Sequence, residues 1–244
     1  MMETVYAERY RRLYEHHFWW RARERLLLEL LDGMVFPRGG DVLDVGCGDG
    51  LFFQQLARYG RVHGVEPDAS LVPPESRWRS AIHCGPFDSG YAPPERFALI
   101  TLLDVLEHLD QPADALARAR SLLAAGGALL ITVPAFNLLW TKHDDWNQHR
   151  TRYTLPELER LICSAGLRIE RAHYFFHWLF LAKLGSTLRE HVLGASPAPA
   201  DVPSPLANRA AYGLSRLEQR AFAHHPLPFG SSLYAVVRAG EARS

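Results

Sequence analysis

The sequence predicts an α/β fold: a doubly wound, mostly parallel sheet with helices on both faces. Three observations predict it. Short apolar runs alternate with helix-period segments over residues 39–176, the pattern of a parallel sheet covered by helices. A glycine-rich loop, "VGCGDG", follows the first of those runs directly, at the strand end where such sheets bind ligands. One more strand-like run, "SSLYAVVRA", stands apart behind a stretch without alternation.

Each element has its own local cause. "YRRLYEHHFWWRARERLLLELL" (residues 10–31) carries an apolar face and reads as one or two helices, ended by Gly33, Pro37, Gly39 and Gly40. Strands follow at 41–45 ("DVLDV") and 62–67 ("VHGVEP"), with a helix between them at 51–59 ("LFFQQLARY"). Past a proline-rich loop, "WRSAIHC" (78–84) reads as the third strand and "FALITLL" (97–103) as the fourth. "PADALARARSLL" (112–123) is a helix closed by Gly126 and Gly127, and "ALLITVPA" (128–135) is the fifth strand. "LPELERLICSAG" (155–166) is a helix with Thr154 as N-cap and Pro156 in its first turn. "LRIERAHYF" (167–175) is the sixth strand. Alternation then stops until residue 229, where helical pieces flank "GASPAPADVPSP" (194–205), a linker or loop too rich in proline for a helix. The expected organisation is a helical cap (1–38), a ligand-binding core (39–176), a lid or insertion (177–230) and a returning strand with its tail (231–244).

Composition narrows the function. Of 244 residues, 48% are hydrophobic and 22% charged, so a packed core is within reach. Lys+Arg and Asp+Glu are 27 each, which argues against a nucleic-acid partner, since that would show as a basic excess. Cys47, Cys84 and Cys163 form no metal spacing or disulfide framework, as expected in a reducing cytoplasm. "YFFHWLFLAKL" (174–184) is broken by His177 and Lys183, and it falls short of the roughly 20 apolar residues of a spanning helix. Contact with a membrane surface stays open.

In the loop itself, Gly46, Gly48 and Gly50 alternate. A dinucleotide fingerprint needs its last glycine where Leu51 stands, and Asp49 would repel a pyrophosphate. These two residues count against a dehydrogenase and favour a cationic ligand that carries a nucleoside. "LDVGCGDG" resembles the first motif of the class I S-adenosylmethionine-dependent methyltransferases. The resemblance implies a Rossmann-like, seven-stranded sheet with the last strand antiparallel, and S-adenosylmethionine as cofactor. It implies that Asp44 orders the methionine ammonium, and that the backbone of Gly46, Cys47, Gly48 and Gly50 approaches the methionine moiety. Glu66, followed by Pro67 in "GVEPD", is the implied acceptor for both ribose hydroxyls, and a carboxylate suits a vicinal diol because it takes two donors. Phe87 in "HCGPFDS" is placed against adenine, Asp88 at its amino group, and Asp104 in "LLDVLEHL" facing the cofactor.

Asp104, Glu107 and His108 would share one face if a helix begins there. That group resembles the metal site of small-RNA 2′-O-methyltransferases; similar letters occur in ubiquinone O-methyltransferases and in relatives that carry no metal. The expectation is that no metal is bound.

Three further segments are similar to a bacterial type 11/type 23-like subgroup. They supply His17-Phe18-Trp19; Asp144, His149, Arg152 and Tyr153; and the closing Pro228-Phe229-Gly230-Ser231-Ser232. Thr151 stands where relatives often carry a second Arg. Methyl transfer to a hydroxyl needs a base, for which histidine suits neutral pH. His149 is the first candidate, since it follows the fifth strand; His108 and His143 come next. Arg152 and Tyr153 either hold an acidic or hydroxylated acceptor or pin their loop to the following helix. Trp19 is expected to wall an apolar acceptor, with Trp20, Trp140 and Trp146 as packing. The reading is O-methylation of a small or medium-sized metabolite by a cytoplasmic monomer or homodimer. Its rivals are N-methylation, a metal-assisted O-methyltransferase and a catalytically silent cofactor-binding module.

Overall fold

The computed structural model describes residues 10–193, 201–223 and 227–240. Residues 194–200 of the expected linker, 1–9 of the cap and 241–244 of the tail lie outside the described residues. The strands are β1 (Asp41–Val45), β2 (Arg61–Glu66), β3 (Ile82–Cys84), β4 (Phe97–Leu103), β5 (Leu123–Pro134), β6 (Leu167–Phe175) and β7 (Ser232–Ala239). They form one sheet in the order β3-β2-β1-β4-β5-β7-β6. β1 pairs in parallel with β2 and β4, β2 with β3, and β4 with β5. β4 is a nearly continuous apolar run and β1 is buried from Val42 to Val45, because both of their faces are covered.

The last strand runs antiparallel. At its start, Ala135 N–H donates to Ser231 O and Ser231 N–H to Phe176 O, so it meets the ends of β5 and β6. At its end, Gly240 N–H donates to Gly166 O, just before β6 begins. Gly230 sits where a Cβ would meet Phe175 O at 2.5 Å, so the "PFGSS" turn can approach that backbone only without a side chain.

The helices are α1 (Phe18–Gly33), α2 (Phe53–Leu56), α3 (Pro112–Leu122), α4 (Lys142–Trp146), α5 (Leu155–Ser164), α6 (His177–Leu193) and α7 (Pro205–Ala221). The N-terminal segment is two helices, residues 10–16 and α1. Asn208 of α7 bridges the break by accepting from Phe18 N–H at 2.8 Å and donating to His16 O at 2.7 Å. Three elements differ from expectation. The helix expected at 51–59 contracts to α2 and flanking turns, because the chain must swing back at Gly60, where a Cβ would meet Gly40 O at 1.8 Å. β3 keeps only Ile82–Cys84, since residues 79–81 form a 3-10 turn. β5 begins at Leu123 and absorbs Gly126 (φ +73°) through a register shift against β4.

The chain divides into two compact units. One comprises Met1–Gly33, Val133–Leu155 and His173–Tyr234; the other comprises Met34–Thr132, Pro156–Ala172 and Ala235–Ser244. The helical cap and the 177–230 insertion thus belong to one unit, together with the loop after β5. That unit packs on Leu27, Leu31, Phe176 and Leu233; the other packs on Leu43, Phe53, Phe97 and Leu99. No helix among the described residues is long and apolar enough to cross a membrane.

Candidate active site

The strand order reverses between β1 and β4, and ligands of such sheets lie beyond the carboxyl ends of the strands at that switch point. Gly46, Gly48 and Gly50 leave β1 with φ of +69°, +54° and +80°, a left-handed conformation that glycine adopts without cost. At Gly46 a Cβ would also meet Val105 Cγ2 at 2.7 Å, whereas the space opposite Gly48 is open. The loop is tied down from behind. Gly46 and Cys47 N–H groups donate to Val65 O at 2.8 and 3.3 Å, and Gly48 N–H donates to Glu66 Oε2 at 2.8 Å.

Glu66 is buried, and its other oxygen, Oε1, accepts from Asp68 N–H at 3.0 Å. One amide per oxygen fixes the carboxylate and leaves each oxygen a further acceptor site, which matches a ligand presenting two hydroxyls. Asp44 is buried too and accepts from Thr101 Oγ1 at 2.6 Å. Burial, with Asp44 and Glu66 nearby, pushes the thiol of the half-buried Cys47 far up, which disfavours its thiolate. Pro67 is exposed, Phe87 is half-buried with its ring 6.0 Å from that of Tyr91, and Asp88 turns its Oδ1 onto Gly90 N–H at 2.7 Å.

Asp104 holds a φ of +60°, rare for a residue with a side chain and concentrated at functional sites. Two bonds secure it: its N–H donates to Thr132 O at 3.0 Å, and its Oδ1 accepts from Thr132 Oγ1 at 2.9 Å. The shared face expected for Asp104, Glu107 and His108 does not form. A 3-10 turn, Leu106–His108, begins after Asp104, so Glu107 is wholly buried and His108 points outward. Glu107 and His108 still bring ligand atoms within 4.8 Å of each other, without Asp104.

In the other unit, the loop after β5 is built around Asp144, which is fully buried. Thr141 and Asp144 close a capping box on α4, with Thr141 N–H donating to Oδ2 at 2.9 Å. Arg152 Nε and Nη2 donate to the two carboxylate oxygens at 2.8 and 3.1 Å, and Nη1 donates to Ala135 O at 3.1 Å. His149 Nδ1 lies 2.8 Å from Oδ1. Burial alone would raise the pKa of Asp144, but the donors from His149 and Arg152, with the Arg152 charge, hold it well below the carboxylate range. An ionised Asp144 only accepts, so His149 donates to it through Nδ1, which orients the ring and leaves Nε2 as its other nitrogen.

This geometry bears on the two readings of Arg152 and Tyr153. Arg152 does not present its fork to an acceptor, because the fork is buried and spent on Asp144 and Ala135. Tyr153 is likewise buried, with its backbone laddered to Pro134 and Phe136, which favours the loop-pinning reading. His143 is exposed and accepts from Asn147 Nδ2 at 2.9 Å; burial of its ring and the Lys183 charge lower its pKa. Trp19 is half-buried, its ring stacked 5.8 Å from Phe176, while Trp146 is exposed. Sequence reasoning missed Thr101 and Thr132. Each is the single hydroxyl in an apolar run, "FALITLL" and "ALLITV", and that interruption was the available signal.

A family model described as a methyltransferase domain matches residues 13–172. A ubiquinone biosynthesis O-methyltransferase of Coxiella burnetii is 29% identical over 112 residues, 43% of this chain and 48% of that protein. The chain thus spans about half the length of the first curated relatives it matches. One of the same description from Xanthomonas axonopodis pv. citri is 28% identical over 203 residues, 70% of this chain and 82% of that protein. In fold, the chain is similar to a TehB-like S-adenosylmethionine-dependent methyltransferase of Corynebacterium glutamicum, with a TM-score of 0.56, 20% identity and 98% of each chain covered. With its glycine loop, its Glu66 and this match, the chain belongs to the class I S-adenosylmethionine-dependent methyltransferases.

Proposed function

We propose that this protein methylates a hydroxyl group of a small or medium-sized metabolite, with His149 as the base. The observation that carries the reading is the Asp144–His149 pair: a buried, ionised carboxylate 2.8 Å from Nδ1 fixes the tautomer whose Nε2 takes a proton. O-methylation has support from the two relatives named O-methyltransferases. S-adenosylmethionine, when bound, supplies a methyl group on a sulfonium that a nucleophile displaces in line.

The chain's residues divide the remaining work. Glu66 receives the ribose hydroxyls, Asp44 orders the methionine ammonium, and the backbone of Gly46, Cys47, Gly48 and Gly50 lets that moiety come close. Phe87 covers the adenine ring beside Pro67, and Asp104 faces the cofactor from its left-handed turn. Trp19 walls an apolar acceptor and helps exclude water, His143 is a polar contact for it, and His108 is the second candidate base.

Calorimetric titration with S-adenosylmethionine, with NAD in parallel, tests the cofactor half; labelled-methyl transfer to a panel of hydroxyl and amine acceptors tests the rest. Glu66→Ala is expected to abolish binding. His149→Ala should keep it and slow transfer about 10²–10⁴-fold. Wild-type turnover by His149→Ala would remove the base assignment. Loss of activity on chelation, restored by a divalent ion, would transfer the work to Glu107 and His108.

A further inference from the structure

α7 (Pro205–Ala221) is the most exposed long helix of its unit, and its outward side is not that of an ordinary solvated helix. Leu206 is 79% exposed, Leu217 65% and Leu214 45%. Leu206, Ala210, Gly213 and Leu217 follow the i, i+4, i+7, i+11 spacing of one stripe, with Leu214 and Ala221 at its flank. Arg209, Arg216 and Arg220 repeat at i, i+7, i+11 along the opposite flank. The helix has one acid, Glu218, which is buried on the far side and accepts from Trp178 N–H at 2.9 Å.

A groove of about 680 Å³ opens along the arginine flank, lined by Arg25, Tyr212, Gly213, Arg216, Leu217 and Arg220. No acid is among these lining residues; Glu29 pairs with Arg25 at 3.2 Å and with Arg216 at 2.5 Å. Arg216 is buried with its fork spent on Glu29 and Gln219, so Arg25 and Arg220 are the guanidinium groups that the groove presents to solvent, and Arg21 lies over the Tyr212 ring at 4.8 Å. Positive charge in excess lines the groove, and bare leucine lies beside it.

We infer that this face docks on an anionic lipid surface, with headgroup phosphates in the arginine groove and Leu206, Leu214 and Leu217 at the acyl boundary. Charge complementarity selects this occupant. A helix lying in the membrane interface needs an apolar face bordered by Arg or Lys, and each such charge adds to its affinity for anionic lipid. Guanidinium forks match phosphate geometry. A second copy of this chain laid on the stripe would meet the same arginines with no acid from α7 to answer them. The inference stands apart from the methyl-transfer reading, because none of these residues is assigned to that site.

Co-sedimentation of the full chain with vesicles tests it, comparing phosphatidylcholine alone with phosphatidylcholine containing phosphatidylglycerol. Binding to the anionic vesicles is expected, weakened by salt and by about fivefold for Arg220→Gln. Leu217→Asp should abolish it, while both variants keep the circular-dichroism melt and S-adenosylmethionine affinity of the parent. Three results would overturn the proposal: no binding to anionic vesicles, equal binding by Leu217→Asp, or a homodimer in solution that Leu217→Asp dissociates. Binding of inorganic phosphate measured by calorimetry, with no binding to anionic vesicles, would overturn the lipid proposal and assign the groove to a soluble anion instead.

Discussion

Asp144 shows how one buried carboxylate organises a functional loop. It receives a charge-assisted fork from Arg152, a backbone N–H from Thr141 and the imidazole of His149. Asp144→Asn would leave the Arg152 charge buried without its counter-ion, so a loss of about 3–5 kcal/mol is expected in urea unfolding. The pH dependence has a defined sign. The folded-state pKa is depressed below the ordinary 3.8, so the stabilisation is fully present above that value and is lost as pH falls below it. An unfolding series into acid should show a steeper decline for the wild type than for Asp144→Asn. At this scale the sequence was most legible where the chemistry is local. Gly46, Gly48, Gly50 and Glu66 lie within one strand-loop-strand, and their letters give the geometry. Arg152 was not legible, because an arginine fork reads the same whether it meets a ligand or a carboxylate eight positions back.

Elements follow the same division. β1, β4 and β5 were readable as strands, whereas the helix break at His17 had no signal in its neighbours. The capping of α6 (His177–Leu193) was not: its N-terminal amides are met by Glu218, from a helix forty positions on. Burial pushes Glu218 up to about 7, against the pull of the Trp178, His177 and Phe176 N–H groups. The folded-state value is thus raised above the ordinary 4.5. Its contribution to stability is fully present below pH 4.5 and is lost as pH rises through about 7. Melting temperatures measured across that window should fall for the wild type and stay flat for Glu218→Gln, whose amide oxygen still accepts from Trp178. A parallel decline in the variant would show that another group carries the effect.

For the whole molecule, cofactor binding and stability are linked, since a ligand held only by the folded chain raises its melting point. S-adenosylmethionine at a hundredfold its dissociation constant should stabilise by about 2.7 kcal/mol, a rise of about 5–10 °C for a chain of this size. Glu66→Ala should lose that rise, and NAD should give none, as thermal-shift assays can show. The sequence by itself determined the α/β class, the seven strands, the glycine loop with its cationic preference, and the carboxylate that closes β2. All of these depend on periodicity or on residues close in the chain. Only the tertiary structure decided that Thr101 and Thr132 hold Asp44 and Asp104, that Arg152 serves Asp144, and that α7 keeps its leucines outside. The physical reason is that a polar or apolar side chain declares what it needs, while its partner is chosen by packing among residues far apart in sequence.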